Sequence, residues 1–338
     1  MRLGVIGLGR IGAFHATTLS ALPNVESLVV YDPVRAAVQA TVDRLGVEAA
    51  DSPDQLMKAG VDGIVIAAAT SVHPELILSS LEAGLPTFCE KPVAADPQQG
   101  EQILARTEQT GIAVQIGYPR RFDAAFIAAH DAVKSGELGT VHTVRSTTLD
   151  PAPPPDDYVR HSGGIFRDCS VHDFDAIRFV TGQEVVEVYA TGTNSFAPIF
   201  AENDDVDTAA TTLTLSSGAL AVVSNSRYNA RGYDVRLELH GSQDSVAAGL
   251  EDRWPIRSTE PGTSFPSGTP HSFFMDRFAD AFRAELAAFT EVVAGTRLSP
   301  CTVADAVEVG WIAEAAALSL RHHRPISLDD VRSRKATR

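Results

Sequence analysis

The stretch Arg2-Leu3-Gly4-Val5-Ile6-Gly7-Leu8-Gly9-Arg10-Ile11-Gly12 decides the fold. A short apolar run leads into G-x-G-x-x-G, and a helical pattern continues through about Leu22. In that strand–turn–helix setting the glycines permit a tight turn and let the backbone approach a pyrophosphate, which then sits at a helix N-terminus. Gly7, Gly9, Arg10, Ile11 and Gly12 are therefore candidate dinucleotide-binding residues. The motif alone is weak; its context strengthens it. Ser27-Leu28-Val29-Val30-Tyr31 reads as the next strand and ends at Asp32, 20 residues past Gly12, where a carboxylate can accept hydrogen bonds from the adenosine ribose. Asp32 favours NAD, because its charge repels a 2′-phosphate. Arg35 lies near enough to pair with such a phosphate and leaves NADP open, although an exposed Arg in a first helical turn is also a common solvated residue.

Strand-like and helix-like patterns then alternate: a helix over 34–45, a strand at 62–68, a helix at 74–83, a strand at 85–89, a helix at 96–110 and a strand at 112–116. The alternation predicts a doubly wound parallel sheet, a Rossmann domain over residues 1–120. Ligands of such sheets bind beyond the carboxyl ends of the strands, and Asp32, Thr70, His73, Glu90-Lys91 and Arg120 all fall there. In Thr87-Phe88-Cys89-Glu90-Lys91-Pro92 a buried strand stops on a charged pair, and Pro92 cannot continue the ladder. Taken alone, Glu90 and Lys91 read as a solvated pair. At this place in the sheet, Lys91 is a candidate to polarise a substrate oxygen beside the nicotinamide. Glu90 reads either as a cofactor contact or as a partner that holds the lysine. His73, just before Pro74, reads equally as a helix-start residue or a cofactor contact.

Composition bounds the rest. A chain of 338 residues accommodates two domains, and 44% hydrophobic with 21% charged residues describes an ordinary globular protein. A net charge of −15 argues against nucleic-acid partners and for a small molecule. Runs such as Gly63–Ala69 fall short of a membrane span, and the first residues leave no room for a signal peptide, so no membrane association and a cytoplasmic location are expected. Three scattered cysteines make neither a disulfide framework nor a metal cluster, and no metal is expected.

Residues 121–338 are expected to form a second domain for substrate binding and oligomerisation. A helix over 122–135 and a strand over 140–149 precede Asp150-Pro151-Ala152-Pro153-Pro154-Pro155, a stiff extended loop that reads as a rim or lid. Strand patterns at 185–193, 206–215, 219–226 and 233–240, without crossover helices, imply a mostly antiparallel sheet. Two helices over 272–294 and 302–322 follow, and the stripe Phe278, Phe282, Leu286, Phe289 reads as core. Between loop and sheet lies Asp168-Cys169-Ser170-Val171-His172. If a helix begins here, Asp168 and His172 share a face; histidine suits proton transfer near neutral pH, and a carboxylate beside it can fix its orientation.

With Gly7–Gly12, Glu90-Lys91-Pro92 and Asp168–His172 together, nearly the whole chain resembles the Gfo/Idh/MocA oxidoreductases, and it looks most like their inositol 2-dehydrogenase branch. The resemblance also covers Ser162–Asp175, Asn225-Ser226-Arg227 with Gly232-Tyr233-Asp234, and Ala313-Glu314-Ala315-Ala316. It implies a Rossmann domain followed by an α/β domain on a large, open, mostly antiparallel sheet whose outer face commonly mediates dimers or tetramers. It implies that Lys91 is the catalytic lysine, that Asp168 and His172 are the Asp-x-x-x-His pair, and that Arg120, Asp150 and Tyr233 lie at substrate positions. Many inositol dehydrogenases carry His and Asn where Thr148 and Asp150 stand. The expected activity is NAD-dependent oxidation of a ring hydroxyl of a cyclic polyol, an inositol or related sugar, by a homo-oligomer. An NAD-dependent glycosidase with redox-neutral turnover, another sugar dehydrogenase of the family, and a non-catalytic sensor of the same fold are the alternatives.

Overall fold

The computed structural model describes residues 1–336. Its first sheet comprises β1 (Arg2–Ile6), β2 (Ser27–Tyr31), β3 (Glu48–Ala49), β4 (Gly63–Ile66), β5 (Thr87–Glu90) and β6 (Val114–Gly117). All are parallel, in the order β3-β2-β1-β4-β5-β6. The helices joining them are α1 (Arg10–Ser20), α2 (Arg35–Leu45), α3 (Pro53–Met57), α4 (His73–Glu82) and α5 (Pro97–Thr110). This is the doubly wound order, and its reversal between β1 and β4 opens a crevice at the strands' carboxyl ends. The sequence pattern passed over β3 and α3, both too short to carry a period. α3 has a clear start signal all the same: Ser52 caps it by accepting from the Gln55 amide at 3.1 Å, and Pro53 follows.

The second sheet is built from β7 (Val141–Leu149), β8 (Val185–Thr193), β9 (Thr208–Leu215), β10 (Leu220–Ser226), β11 (Asp234–Gly241), β12 (Ser245–Ala248) and β13 (Ile326–Ser327), ordered β12-β11-β7-β10-β9-β8-β13. Every pairing is antiparallel except β7 with β10. Helices α6 (Ala124–Lys134), α7 (Asp156–Val159), α8 (Val171–Thr181), α9 (Pro198–Glu202), α10 (Phe274–Arg277), α11 (Ala279–Val293), α12 (Val303–His322) and α13 (Leu328–Ala336) complete the chain. The single helix expected over 272–294 is broken at Phe278, which leaves helical geometry with φ −110° and ψ 20°. No described helix is long and apolar enough to cross a membrane.

The chain divides into two compact units, Met1–Phe122 with Asp280–Glu308, and Asp123–Ala279 with Val309 onward. This corrects the single boundary expected after residue 120. The reason lies in the aromatic stripe: Leu286, Phe289 and Val292 of α11 are buried in the same cluster as Leu3, Val5, Leu28, Val30, Val65 and Phe88. They complete the first unit's core, so the chain must return to it.

Candidate active site

The glycine turn is fixed by steric necessity at two positions and open at the third. Gly7 has φ +95°, and a Cβ there would lie 2.6 Å from the backbone of Ala67 and Ala68. A Cβ on Gly12 would overlap the Gly7 carbonyl oxygen, so α1 packs against the turn only because residue 12 has no side chain. At Gly9 the corresponding position has no heavy atom within 4 Å. Tight turn, close helix packing and one open glycine are the three features by which a dinucleotide pyrophosphate is received, so these residues fit NAD. Arg10 is the exposed first residue of α1, and Ile11 follows it.

Asp32 stands just past β2 and has a structural task. Its Oδ2 accepts from the Leu8 amide at 2.7 Å and its Oδ1 from the Val34 amide at 2.7 Å. The carboxylate thus ties the glycine turn to the entrance of α2, whose first residue, Arg35, is exposed. Thr70 begins a short 3-10 turn after β4.

Lys91 immediately follows β5 and is flanked by two anchored residues. Before it, Glu90 Oε1 lies 2.6 Å from His15 Nε2, and His15 is wholly buried. The imidazole meets the Phe88 ring edge-on with centroids 5.7 Å apart, and it also packs against Phe282. After it, His73 presents its ring nitrogens 2.8 Å from the Pro92 carbonyl oxygen and 3.0 Å from that of Ala68. Burial holds the His73 pKa below its ordinary value, against the opposing pull of the two carbonyl oxygens. His73 therefore links the end of β4 to the turn after Lys91. Arg120 is 2% exposed on the 3-10 turn Pro119–Phe122 that follows β6.

In the second unit β7 lies between β10 and β11, with Leu149 opposite both Ser226 and Asp234. Asp150, Arg227 and Tyr233 are the next residues along these strands, and so they lie at one end of the sheet. The segment bearing Asp168 and His172 begins at Gly163 and Gly164, with φ +78° and +88°, and the Ile165 amide donates to Asp205 Oδ1 at 2.8 Å. It does not start as the simple α-helix expected. Phe166–Ser170 forms a π-helical turn that runs into α8, so Asp168 lies in the turn and His172 in the helix.

A buried polar network holds this segment on the sheet. The Asp173 carboxylate is fully buried and accepts from Ser146 Oγ at 2.6 Å, Thr148 Oγ1 at 2.9 Å and Asn225 Nδ2 at 2.8 Å. Ser170 Oγ donates to Asn225 Oδ1 at 2.6 Å. His172 thus sits between two residues tied to β7 and β10. Asp168 Oδ2 accepts from Arg227 Nη2 at 2.8 Å, and its Oδ1 accepts from Tyr158 Oη at 2.7 Å. Arg227 Nη1 reaches Asp150 Oδ2 at 3.2 Å. Burial opposes the Arg227 charge, but Asp168 and Asp150 outweigh it and hold the guanidinium above its ordinary range. Tyr158 and His15 do not figure in the sequence reading, and Arg227 and Asp173 enter it only within longer stretches, without a role of their own. The three cysteines are buried and form no disulfide, and burial pushes the Cys89 and Cys169 thiols well up, which disfavours the thiolate.

A parallel six-stranded sheet of this order with this glycine turn is a dinucleotide-binding Rossmann domain. Residues 1–118 match the oxidoreductase family with an NAD-binding Rossmann fold, and residues 126–247 match the GFO/IDH/MocA C-terminal domain; the chain belongs to the Gfo/Idh/MocA family. It is 38% identical to the uncharacterized oxidoreductase YrbE of Bacillus subtilis, with 96% of each chain covered. It is 35% identical to myo-inositol 2-dehydrogenase of Thermotoga maritima, over 98% of this chain and 99% of that protein. The crystal structure of scyllo-inositol dehydrogenase from Lactobacillus casei with bound NAD(H) and scyllo-inositol matches at TM-score 0.88 and 27% identity, over 97% of this chain and 99% of that one.

Proposed function

We propose that this protein oxidises one ring hydroxyl of a cyclic polyol of the inositol class to a ketone, with NAD as the hydride acceptor. The observation that carries the reading is the join of β7, β10 and the π-helical turn. There Asp150 and Asp168 offer carboxylate oxygens to hydroxyl groups, and His172 is held by anchored neighbours one helical turn from Asp168. A polyol is recognised through its hydroxyls, and ionised carboxylates are strong acceptors for them. NAD, when bound at Gly7–Gly12 and Asp32, supplies the hydride acceptor; Arg10, Ile11, Arg35, Thr70, His73 and Glu90 are the further residues assigned to its neighbourhood.

The chain's own groups supply the proton chemistry. His172 takes the hydroxyl proton as general base, Asp168 orients His172 and accepts a substrate hydroxyl, and Lys91 hydrogen-bonds the reacting oxygen and stabilises its developing negative charge. Arg120, Asp150 and Tyr233 contact the remaining hydroxyls. Lys91→Ala should lower kcat for NAD reduction with myo- or scyllo-inositol by about 10²–10⁴-fold while leaving NAD affinity within a few-fold. Near-native turnover of that variant would contradict the assignment. Net NADH accumulation in the wild type also separates a dehydrogenase from a redox-neutral glycosidase.

A further inference from the structure

The join between β7 and β10 holds a charge arrangement that the acid–base assignment leaves unused. Arg227 is 3% exposed and spreads its two terminal nitrogens over two carboxylates, Asp168 at 2.8 Å and Asp150 at 3.2 Å. Its root is fixed as well, because its backbone amide donates to the Asp207 carbonyl at 2.8 Å, and Asp207 in turn accepts from the Ser195 and Phe196 amides. Tyr158 Oη occupies the other oxygen of Asp168. We propose that Arg227 is a positioning residue of this site: by bridging Asp150 and Asp168 it keeps both as aimed, anionic acceptors, so that Asp168 receives hydroxyls and His172 is the group that carries the proton. The inference rests on the function proposed above and deepens it.

Two like charges meet at this join. Asp150 and Asp168 both bond the Arg227 guanidinium, and loss of its charge leaves two like charges near each other in a partly buried place, which favours uptake of a proton. Several other groups face the cluster. Asp205, on the loop before β9, adds negative charge, and burial raises its own pKa. Cys169 is held neutral by burial, and Asp173 is saturated by its hydroxyl and amide donors. His172 lies on the same segment, and Tyr158 donates. Arg227 thus bonds both carboxylates, and its planar fork holds the two donors that reach them in a fixed geometry.

The test reads Asp168 directly. With aspartate labelled at Cγ, its signal is assigned through Asp168→Asn and followed over pH without substrate. In Arg227→Met the carboxyl should titrate about 1–3 pH units higher than in the wild type. Activity that requires the anion should then be lost at higher pH as the solution is acidified, and the acid limb of kcat/KM for myo-inositol should move up and steepen. Adding Asp150→Asn should bring the titration part of the way back. Arg227→Lys keeps the charge and loses the fork, so KM should rise while the titration stays near native. Should Arg227→Met not fold, Asp150→Asn alone decides: removing the like charge must lower the Asp168 titration. An unshifted Asp168 in the variant that folds, or an equal loss of activity at every pH, overturns the proposal. Failure of the wild type to reduce NAD with any inositol would instead overturn the proposed function, and it would leave the titration result standing.

Discussion

At the scale of residues, Lys91 is flanked on both sides by anchored backbone and side chains. Glu90 bonds a histidine that has no exposed surface, and His73 ties the following turn to the end of β4. Removing one partner of a buried bond leaves the other unsatisfied at a cost of about 1–3 kcal/mol. His15→Phe, which keeps the ring volume among Phe14, Phe88 and Phe282, should therefore destabilise the protein by about that much in chemical denaturation, and His15→Gln, which keeps a donor, by less. Equal stability of the two variants would contradict this account. Glu90 was legible in the sequence because it ends a strand; its partner was not. The signal was present, since Gly12, His15, Ala16 and Leu19 recur at helical spacing on the buried face of α1, and a buried histidine requires a polar partner. Arg227 lies 59 residues from Asp168, and no local pattern pairs them.

At the scale of elements, the start of α12 carries a prediction with a definite sign. The Thr302 amide donates to Asp305 Oδ2 at 2.9 Å and the Asp305 amide to Thr302 Oγ1 at 3.2 Å, a reciprocal cap, while Arg121 pairs with Asp305 at 3.1 Å. Burial opposes ionisation, but Arg121 and the Thr302 donors outweigh it and hold the carboxyl below its usual range. A folded pKa below the unfolded value of about 3.9 means stabilisation that is present above that value and lost as pH falls through the folded one. Asp305→Asn should therefore lower the thermal midpoint at pH 7, by an amount corresponding to about 1 kcal/mol, and the gap to wild type should narrow as the pH falls below the usual carboxylate range. A gap independent of pH would contradict the ionic contribution. The longer elements were readable because their apolar residues follow one period. β3, β12 and β13 are too short for a period, and the π-helical turn differs from an α-helical start by one residue of hydrogen-bond register, which side-chain spacing does not encode.

At the scale of the whole molecule, the first sheet was legible because its fingerprint is local: a glycine turn and a carboxylate 20 residues on, within one βαβ unit. Two features were not. The parallel pairing of β7 with β10 joins strands separated by β8 and β9 in sequence, and the return of Asp280–Glu308 to the first unit depends on which core takes up the aromatic stripe of α11. The central claim, oxidation of a neutral cyclic polyol with NAD, is tested most directly by initial rates of NAD and NADP reduction against a panel of inositols, pyranoses and anhydrosugars. The account predicts net NADH formation with at least one inositol, faster with NAD than with NADP because of Asp32, and abolished in Lys91→Ala. No NADH with any ring polyol, or a clear preference for NADP, would contradict it.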